Sequence, residues 1–280
     1  MSEKSIVLNA LLRQDLSPGN QSFQNILTRI AISHLKKNSI EAEKFAERNL
    51  KKYWNWMLAL TDEHKARGLM PYFLVPSSSS YSIACAGHEL ITAHEDKSQL
   101  FGRNLKNRAI LLGQLDRLND REYEALAGVV CKAIGVREFV LTPPGNEGGI
   151  DFLAHIVTQS STPIFPSPGT SLRVVGQCKK YATALAVDTF ENFIQTLHNV
   201  RYRSNRVRRH IPSWFSESNS PIIGWMIGHS GFQTGSADEG KQHGIYMSDA
   251  VDLVEILCHG IDGINQLHPN LIHSKCQDFL

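Results

Sequence analysis

The sequence lacks any apolar run approaching the roughly 18–20 residues that a bilayer-spanning helix needs. Its opening stretch, MSEKSIVLNALLRQDLSPG, has no apolar core of the kind found in a secretory leader. A cysteine framework is missing too. The five cysteines, Cys85, Cys131, Cys178, Cys258 and Cys276, lie far apart, with no CxxC pair and no Cys/His cluster at zinc-ligand spacing. Together these absences predict a cytoplasmic protein with reduced thiols, no membrane association and no structural zinc. Two common catalytic signatures are also absent. The turn Gly145-Asn146-Glu147-Gly148-Gly149 does not fit the phosphate-binding GxxxxGK[ST] loop, and Gly228-His229-Ser230-Gly231 is not a GxSxG nucleophile elbow.

What is present is an ordinary globular composition, 42% hydrophobic and 20% charged. At 280 residues the chain is long enough for one large domain or two modest ones. Its net charge is only +2, but the charge is unevenly spread. Residues 170–210 hold eight basic side chains (Arg173, Lys179, Lys180, Arg201, Arg203, Arg206, Arg208 and Arg209) against Asp188 and Glu191, a local excess of +6. Such a stretch in a near-neutral chain fits either a surface that meets a polyanion or a solvated face.

Helical spacing dominates residues 22–67: Ile26, Leu27, Ile30 and Ala31 form an apolar stripe, and an Ala/Glu/Lys/Leu-rich segment follows from Ser39 to Arg67. Tyr53, Trp54 and Trp56 inside that segment are expected to pack a small core. Pro76 and the serines Ser77 to Ser80 read as a loop, and Lys106 to Leu115 as a helix. This divides the chain into an N-terminal, mainly helical region at 1–105, a linking segment at 106–117, a main domain at 118–257 and a C-terminal tail at 258–280.

The main domain is patterned more sharply. Asn119 and Glu122 have the spacing of a helix capping box. Tyr123, Leu126, Ala127, Val130 and Ile134 then share one helix face, and Gly135 supplies a left-handed stop. Strands are predicted at Val136–Leu141, Ile150–Val157, Leu172–Gln177 and Ile222–Ile227, with a short run at Gly244–Met247. Helices are predicted at Asp188–Leu197 and Asp249–Leu257. The order α-β-β-β-α-β-β-α predicts an α/β fold, a mixed sheet flanked by helices.

Within that frame, Asp151 follows Gly148 and Gly149 at the start of one strand, and Gln177 and Lys179 end the next. Residues two apart on a strand share a face, so Gln177 and Lys179 project together with Cys178 opposite. Pairing of the two strands would bring Asp151 beside them. Asp151, the Gln177 amide oxygen and the Cys178 backbone carbonyl are hard oxygen donors suited to Mg²⁺, with Mn²⁺ as a substitute. Lys179 can orient an attacking water and offset charge building on phosphorus. Glu124, at the edge of its helix stripe, can reach the same place as an outer ligand. Singly, each of these is commonly a surface or turn residue; their occurrence in this order at fitting positions is what carries the reading.

Tyr123-Glu124, Gly149-Ile150-Asp151 and Gln177-Cys178-Lys179-Lys180-Tyr181 resemble the motifs of the Mrr-like branch of the PD-(D/E)xK nucleases, in which Gln replaces the commoner acid. Gly228-His229-Ser230-Gly231-Phe232 with Ala237, and Gly244 to Val254, resemble that family's later strands and helices. The resemblance spans residues 118–257. It implies a restriction-endonuclease-like fold, a catalytic set of Glu124, Asp151, Gln177 and Lys179, and Mg²⁺-dependent cutting of DNA in restriction or anti-phage defence. Next to a nuclease site, Lys180, Arg201, Arg203, Arg206, Arg208 and Arg209 read as DNA phosphate contacts, while Trp214 and Phe215 can pack or stack. Cutting both strands is most simply the work of a homodimer. The extra N-terminal region also admits a subunit of a defence complex, nuclease-like and DNA-binding but silent until a partner engages it. Two departures stand out. The 26 residues from Asp151 to Gln177 require a proline-bearing insertion to loop out, and His229 and Ser230 replace the family's usual threonines. The uncharged Gln177 is expected to hold a cation less tightly than a second carboxylate would.

Overall fold

The computed structural model describes residues 2–16, 19–66, 71, 73–75, 81–85, 107–145, 148–157, 171–208, 211–259 and 269–280. The loop expected at 76–80, the proline-bearing connection at 158–170 and Arg209 lie outside the described residues. The chain forms two compact units, Met1–Gly113 and Gln114–Leu280.

Among its described residues the first unit is mainly helical, in line with its spacing. Helix α1 (Glu3–Leu12) starts where the Ser2 hydroxyl accepts from Ser5 N–H, and α2 (Phe23–Ser33) is capped in the same way by Ser22. The long α3 (Ser39–Ala66) lies against α2. Its Tyr53 is buried, while Trp54 and Trp56 are half-buried; Trp54 stands edge-on to Phe23 and to Tyr81. The periodicity gives no sign of a small antiparallel sheet in this unit, with strand order β1 (Gln21–Ser22), β3 (Ser82–Cys85), β2 (Phe73–Leu74). Strands of two to four residues are too short to show a period-2 pattern.

The second unit is a mixed α/β fold built on a five-stranded sheet flanked by helices. Strand order is β4 (Glu138–Leu141), β5 (Phe152–Val157), β6 (Ser171–Lys179), β7 (Ile222–Gly228), β8 (Ile245–Asp249). The first three strands are antiparallel neighbours, and β6, β7 and β8 run parallel. The helices are α4 (Arg108–Arg117), which spans the boundary between the units, α5 (Asp120–Ala133), α6 (Val187–Arg201), the single turns α7 (Asn205–Arg208) and α8 (Ser213–Ser216), then α9 (Thr234–Gln242) and α10 (Ala250–His259). The capping box that opens α5 is present with both bonds made, Asn119 Oδ1 to Glu122 N–H and Glu122 Oε2 to Asn119 N–H, each 2.9 Å.

Alternation along β6 separates two cores. Val175 faces α6, packing with Leu153, Met226, Phe190, Phe193 and Leu197. The opposite face carries Gly176 and Cys178, and it meets α5. Gly176 has no room for a side chain, because a Cβ there would sit 2.0 Å from the Phe152 ring.

The segment read as a C-terminal tail is instead part of this unit. Helix α10 runs on to His259, and α11 (Ile272–Gln277) packs on α5. There His273 Nδ1 and Gln277 Nε2 approach Glu122 Oε1 at 3.2 and 3.3 Å, and the Phe279 ring fills the space above Gly128 and stands edge-on to Phe139. The segment's polar character hid this role, which rests on two apolar anchors and one aromatic ring. Phe279→Ala should lower unfolding stability by about 1–3 kcal/mol in denaturant titration. An unchanged midpoint would show that the segment does not brace α5.

Candidate active site

The site forms where the β5–β6 ladder stops. Regular pairing ends at Phe152 opposite Gly176. Beyond it, Asp151 N–H donates to Gly176 O (2.9 Å), while Cys178 N–H donates to the Asp151 carboxylate at 2.6 Å. A charged acceptor thus replaces a strand carbonyl, giving a short charge-assisted bond that fixes the acid at the strand end. Asp151, expected just inside a strand, lies one residue before β5 and is buried.

Two glycines make this placement possible. Gly148 (φ +62°) and Gly149 (φ +87°) both adopt left-handed backbone, which other residues rarely tolerate. The turn is pinned from α6 by Thr196, whose hydroxyl donates to Gly148 O at 2.8 Å, and a Cβ on Gly149 would lie 2.7 Å from that hydroxyl. Gln177 Nε2 donates to Gly149 O at 2.9 Å, which ties up the amide nitrogen and leaves the amide oxygen as the end that can meet a cation. On the other side, the buried Thr142 hydroxyl bonds the carbonyls of Ile150 (2.6 Å) and Asp151 (2.9 Å).

Glu124 approaches from α5. Its carboxylate pairs with Arg121 at 2.6 Å, and Arg121 donates also to Thr142 O at 2.7 Å. Three of the four expected side chains act electrostatically on one buried thiol. The Cys178 thiol is pushed well up, first by burial and then by the negative charges of Asp151 and Glu124, with Lys179 pulling the other way. The charges of Asp151, Glu124 and Lys179 are thus all felt at one buried sulfur on the strand that carries Gln177 and Lys179. Cys178 is buried, and its part in the site is played by its backbone, whose N–H holds Asp151.

The donor set fits Mg²⁺ in kind. A carboxylate, an amide oxygen and the Cys178 carbonyl are hard oxygen donors, and a second carboxylate lies nearby in Glu124. Among the described residues no group of three or more His, Cys, Asp or Glu side chains is placed to hold a metal. A cation here would depend on the amide and the backbone, as the pattern Gln-Cys-Lys implies.

The basic residues are placed less as expected. Arg201 donates to Ile222 O, and Ile222 is in register with Arg173, six residues before Lys179. At ~3.3 Å per residue that is about 20 Å along the strand, so Arg201 is at the far end of β6 rather than beside the acids. Arg203 reaches Ser216 O at 3.1 Å in the same region and depresses the buried Arg173, whose pKa is lowered first by desolvation. Arg208 is exposed and lines with Arg203 a polar cleft of about 800 Å³; the side chain of Arg206 is outside the described residues. Linear proximity to the site was misleading because α6 carries the chain back along the sheet. Lys180 does stand beside Lys179, but its ammonium donates to Asp116 O at 2.9 Å. Trp214 and Phe215 pack: Phe215 lies buried beneath Arg173, and Trp214 stacks on His155.

Sequence reasoning missed Thr142 and Thr196, which touch the site only through bonds to backbone carbonyls, and Arg121, which pairs with Glu124 and bonds Thr142 O. A threonine's bond to a distant carbonyl leaves no periodic signal.

No protein-family model and no curated protein matches the chain. Among solved structures it is similar to the MspJI restriction endonuclease in complex with a 27-mer oligonucleotide, at 15% identity and TM-score 0.36, covering 74% of this chain and 40% of that one. It is also similar to the DNA modification-dependent restriction endonuclease AspBHI (17%, 0.38, covering 81% and 48%) and to the restriction endonuclease FokI (12%, 0.39, covering 91% and 44%). The chain spans less than half the length of each. Likeness at this level leaves the functional argument to the residues themselves.

Because Asp151 satisfies the buried Cys178 N–H, Asp151→Ala should cost about 1–3 kcal/mol of stability, whereas Asp151→Asn, which retains an acceptor, should cost less. Equal melting temperatures for the two variants would show that the 2.6 Å bond does not hold the strand end.

Proposed function

We propose that the chain is a Mg²⁺-dependent DNA endonuclease of the restriction-endonuclease-like, Mrr-like type, acting in restriction or anti-phage defence. The reading rests above all on Asp151 and Gln177 being fixed together where β5 and β6 part, at the strand end that carries Lys179. Asp151 and the Gln177 oxygen would hold Mg²⁺, which when bound would supply Lewis acidity toward the phosphodiester and activate water. The Gly148–Gly149 turn fixes both donors in advance. Lys179 orients the attacking water and offsets charge developing on the phosphoryl oxygens. Glu124, paired with Arg121, would add negative charge near a bound cation as an outer ligand. Arg203 and Arg208 offer phosphate contacts to a duplex reaching the other end of the sheet. Mn²⁺ is expected to replace Mg²⁺.

A second reading is a nuclease-like DNA-binding subunit of a multi-protein defence system, inactive until engaged. The separate compact N-terminal unit, with no assigned role, favours it. A plasmid-cleavage assay on modified and unmodified DNA separates the two. The first reading expects cutting with Mg²⁺ or Mn²⁺, none with chelator, and a loss of about 10²-fold or more in Lys179→Ala. Full activity in Lys179→Ala would remove the assigned role. DNA binding without metal-stimulated cutting on any substrate would favour the second reading.

A further inference from the structure

Lys179 is the last residue of β6, a position where a strand end is free to fray. Yet three consecutive residues are tied down there by the turn that follows β7 and by the last turn of α4. His229 N–H donates to Lys179 O (2.9 Å), the Lys180 ammonium donates to Asp116 O (2.9 Å), and the Ser230 hydroxyl donates to Tyr181 O (2.7 Å). The two anchors also meet each other: His229 Nε2 lies 3.0 Å from Asp116 Oδ1, an ion-pair distance rather than an aligned hydrogen bond. The imidazole ring stands edge-on to Tyr123 at 5.5 Å, one residue before Glu124. The turn itself is stiff. Gly231 N–H closes it on Gly228 O, Gly231 has φ +78°, and Leu185 beyond Tyr181 is bonded on both sides, to Gly231 O and from Gln233 N–H.

A lysine side chain has four rotatable bonds, so a protein positions its ammonium largely through the backbone that carries it. An error near 1 Å in placing a reacting group can cost about 10²-fold in rate. We propose that Asp116, His229 and Ser230 form a strap whose function is to position Lys179 for phosphodiester hydrolysis, with Ser230 and Asp116 as positioning residues that never touch the substrate. The inference rests on the nuclease reading above. It reaches beyond the motif-bearing segment, since Asp116 precedes residue 118, and it gives a role to the two residues that depart from the threonine pattern.

The test uses the full-length protein with Ser230→Ala, Asp116→Ala, the conservative Ser230→Thr and Asp116→Asn, and Lys179→Ala as reference. The strap predicts single-turnover cleavage ten- to a hundredfold slower in both alanine variants, with DNA affinity measured in Ca²⁺ changed less than threefold. Ser230→Thr, which keeps the hydroxyl, and Asp116→Asn, which keeps an oxygen facing His229 Nε2 while the backbone carbonyl bonded by Lys180 is untouched, should recover rates within about threefold of the parent. Amide hydrogen exchange over residues 177–183 should quicken at least tenfold in the alanine variants and not in the conservative ones. Unchanged exchange in both alanine variants overturns the strap whether or not the protein cuts DNA. Parent-like cleavage in both, beside an inactive Lys179→Ala, overturns the strap and leaves the nuclease reading standing. A fully active Lys179→Ala defeats that reading instead, and the exchange result still decides whether the strap exists.

Discussion

The bond from Cys178 N–H to the Asp151 carboxylate is the contact on which the rest of the site depends. In a continuing ladder a carbonyl would accept from that N–H, and the acid would lie on a sheet face. Here the ladder begins only at Phe152, and the carboxylate of Asp151, one residue before it, takes the carbonyl's place between the strands. The acid is thereby held by structure that the fold requires anyway: an unsatisfied buried N–H at this point would cost about 1–3 kcal/mol. The left-handed glycines, the Thr196 pin and the paired Thr142 bonds all make that departure from the ladder possible, and each acts through backbone.

Around this contact the site is built from both faces of the sheet. Gln177 belongs to the α6 face and is tied to the glycine turn. Glu124 comes from α5, on the Cys178 face, and is tied through Arg121 to Thr142. Asp151 and Gln177 are tied to the strand end itself, and Glu124 reaches that region through Arg121 and Thr142, so both layers border the opening between β5 and β6. Bracing of α5 by the C-terminal helix, through Glu122 and Phe279, fixes the direction from which Glu124 arrives.

Much of this was legible in the sequence because it is periodic or local. The apolar stripe of α5, the Asn119–Glu122 box and the alternation placing Gln177 opposite Cys178 all recur as the spacing implies. The order of the main-domain elements is legible for the same reason. What escaped depends on contacts between residues far apart in the chain. Thr142 and Thr196 are unremarkable until their carbonyl partners are known. The 269–280 segment reads as a polar tail because only Ile272, Cys276 and Phe279 anchor it. Arg201 and Arg203 follow Lys179 closely in sequence, but α6 takes them about 20 Å away along the sheet. The small sheet of the first unit is too short to leave any pattern.

The central claim is that Asp151, as held by Cys178, is the principal ligand of a catalytic divalent cation. Mn²⁺ binding, followed by electron paramagnetic resonance as free ion is lost during titration, tests it without requiring a DNA substrate. One site per chain is expected in the parent protein, with an affinity at least tenfold weaker in folded Asp151→Asn, since the neutral amide removes the carboxylate charge of the principal ligand. Equal Mn²⁺ affinity in the two proteins would contradict it.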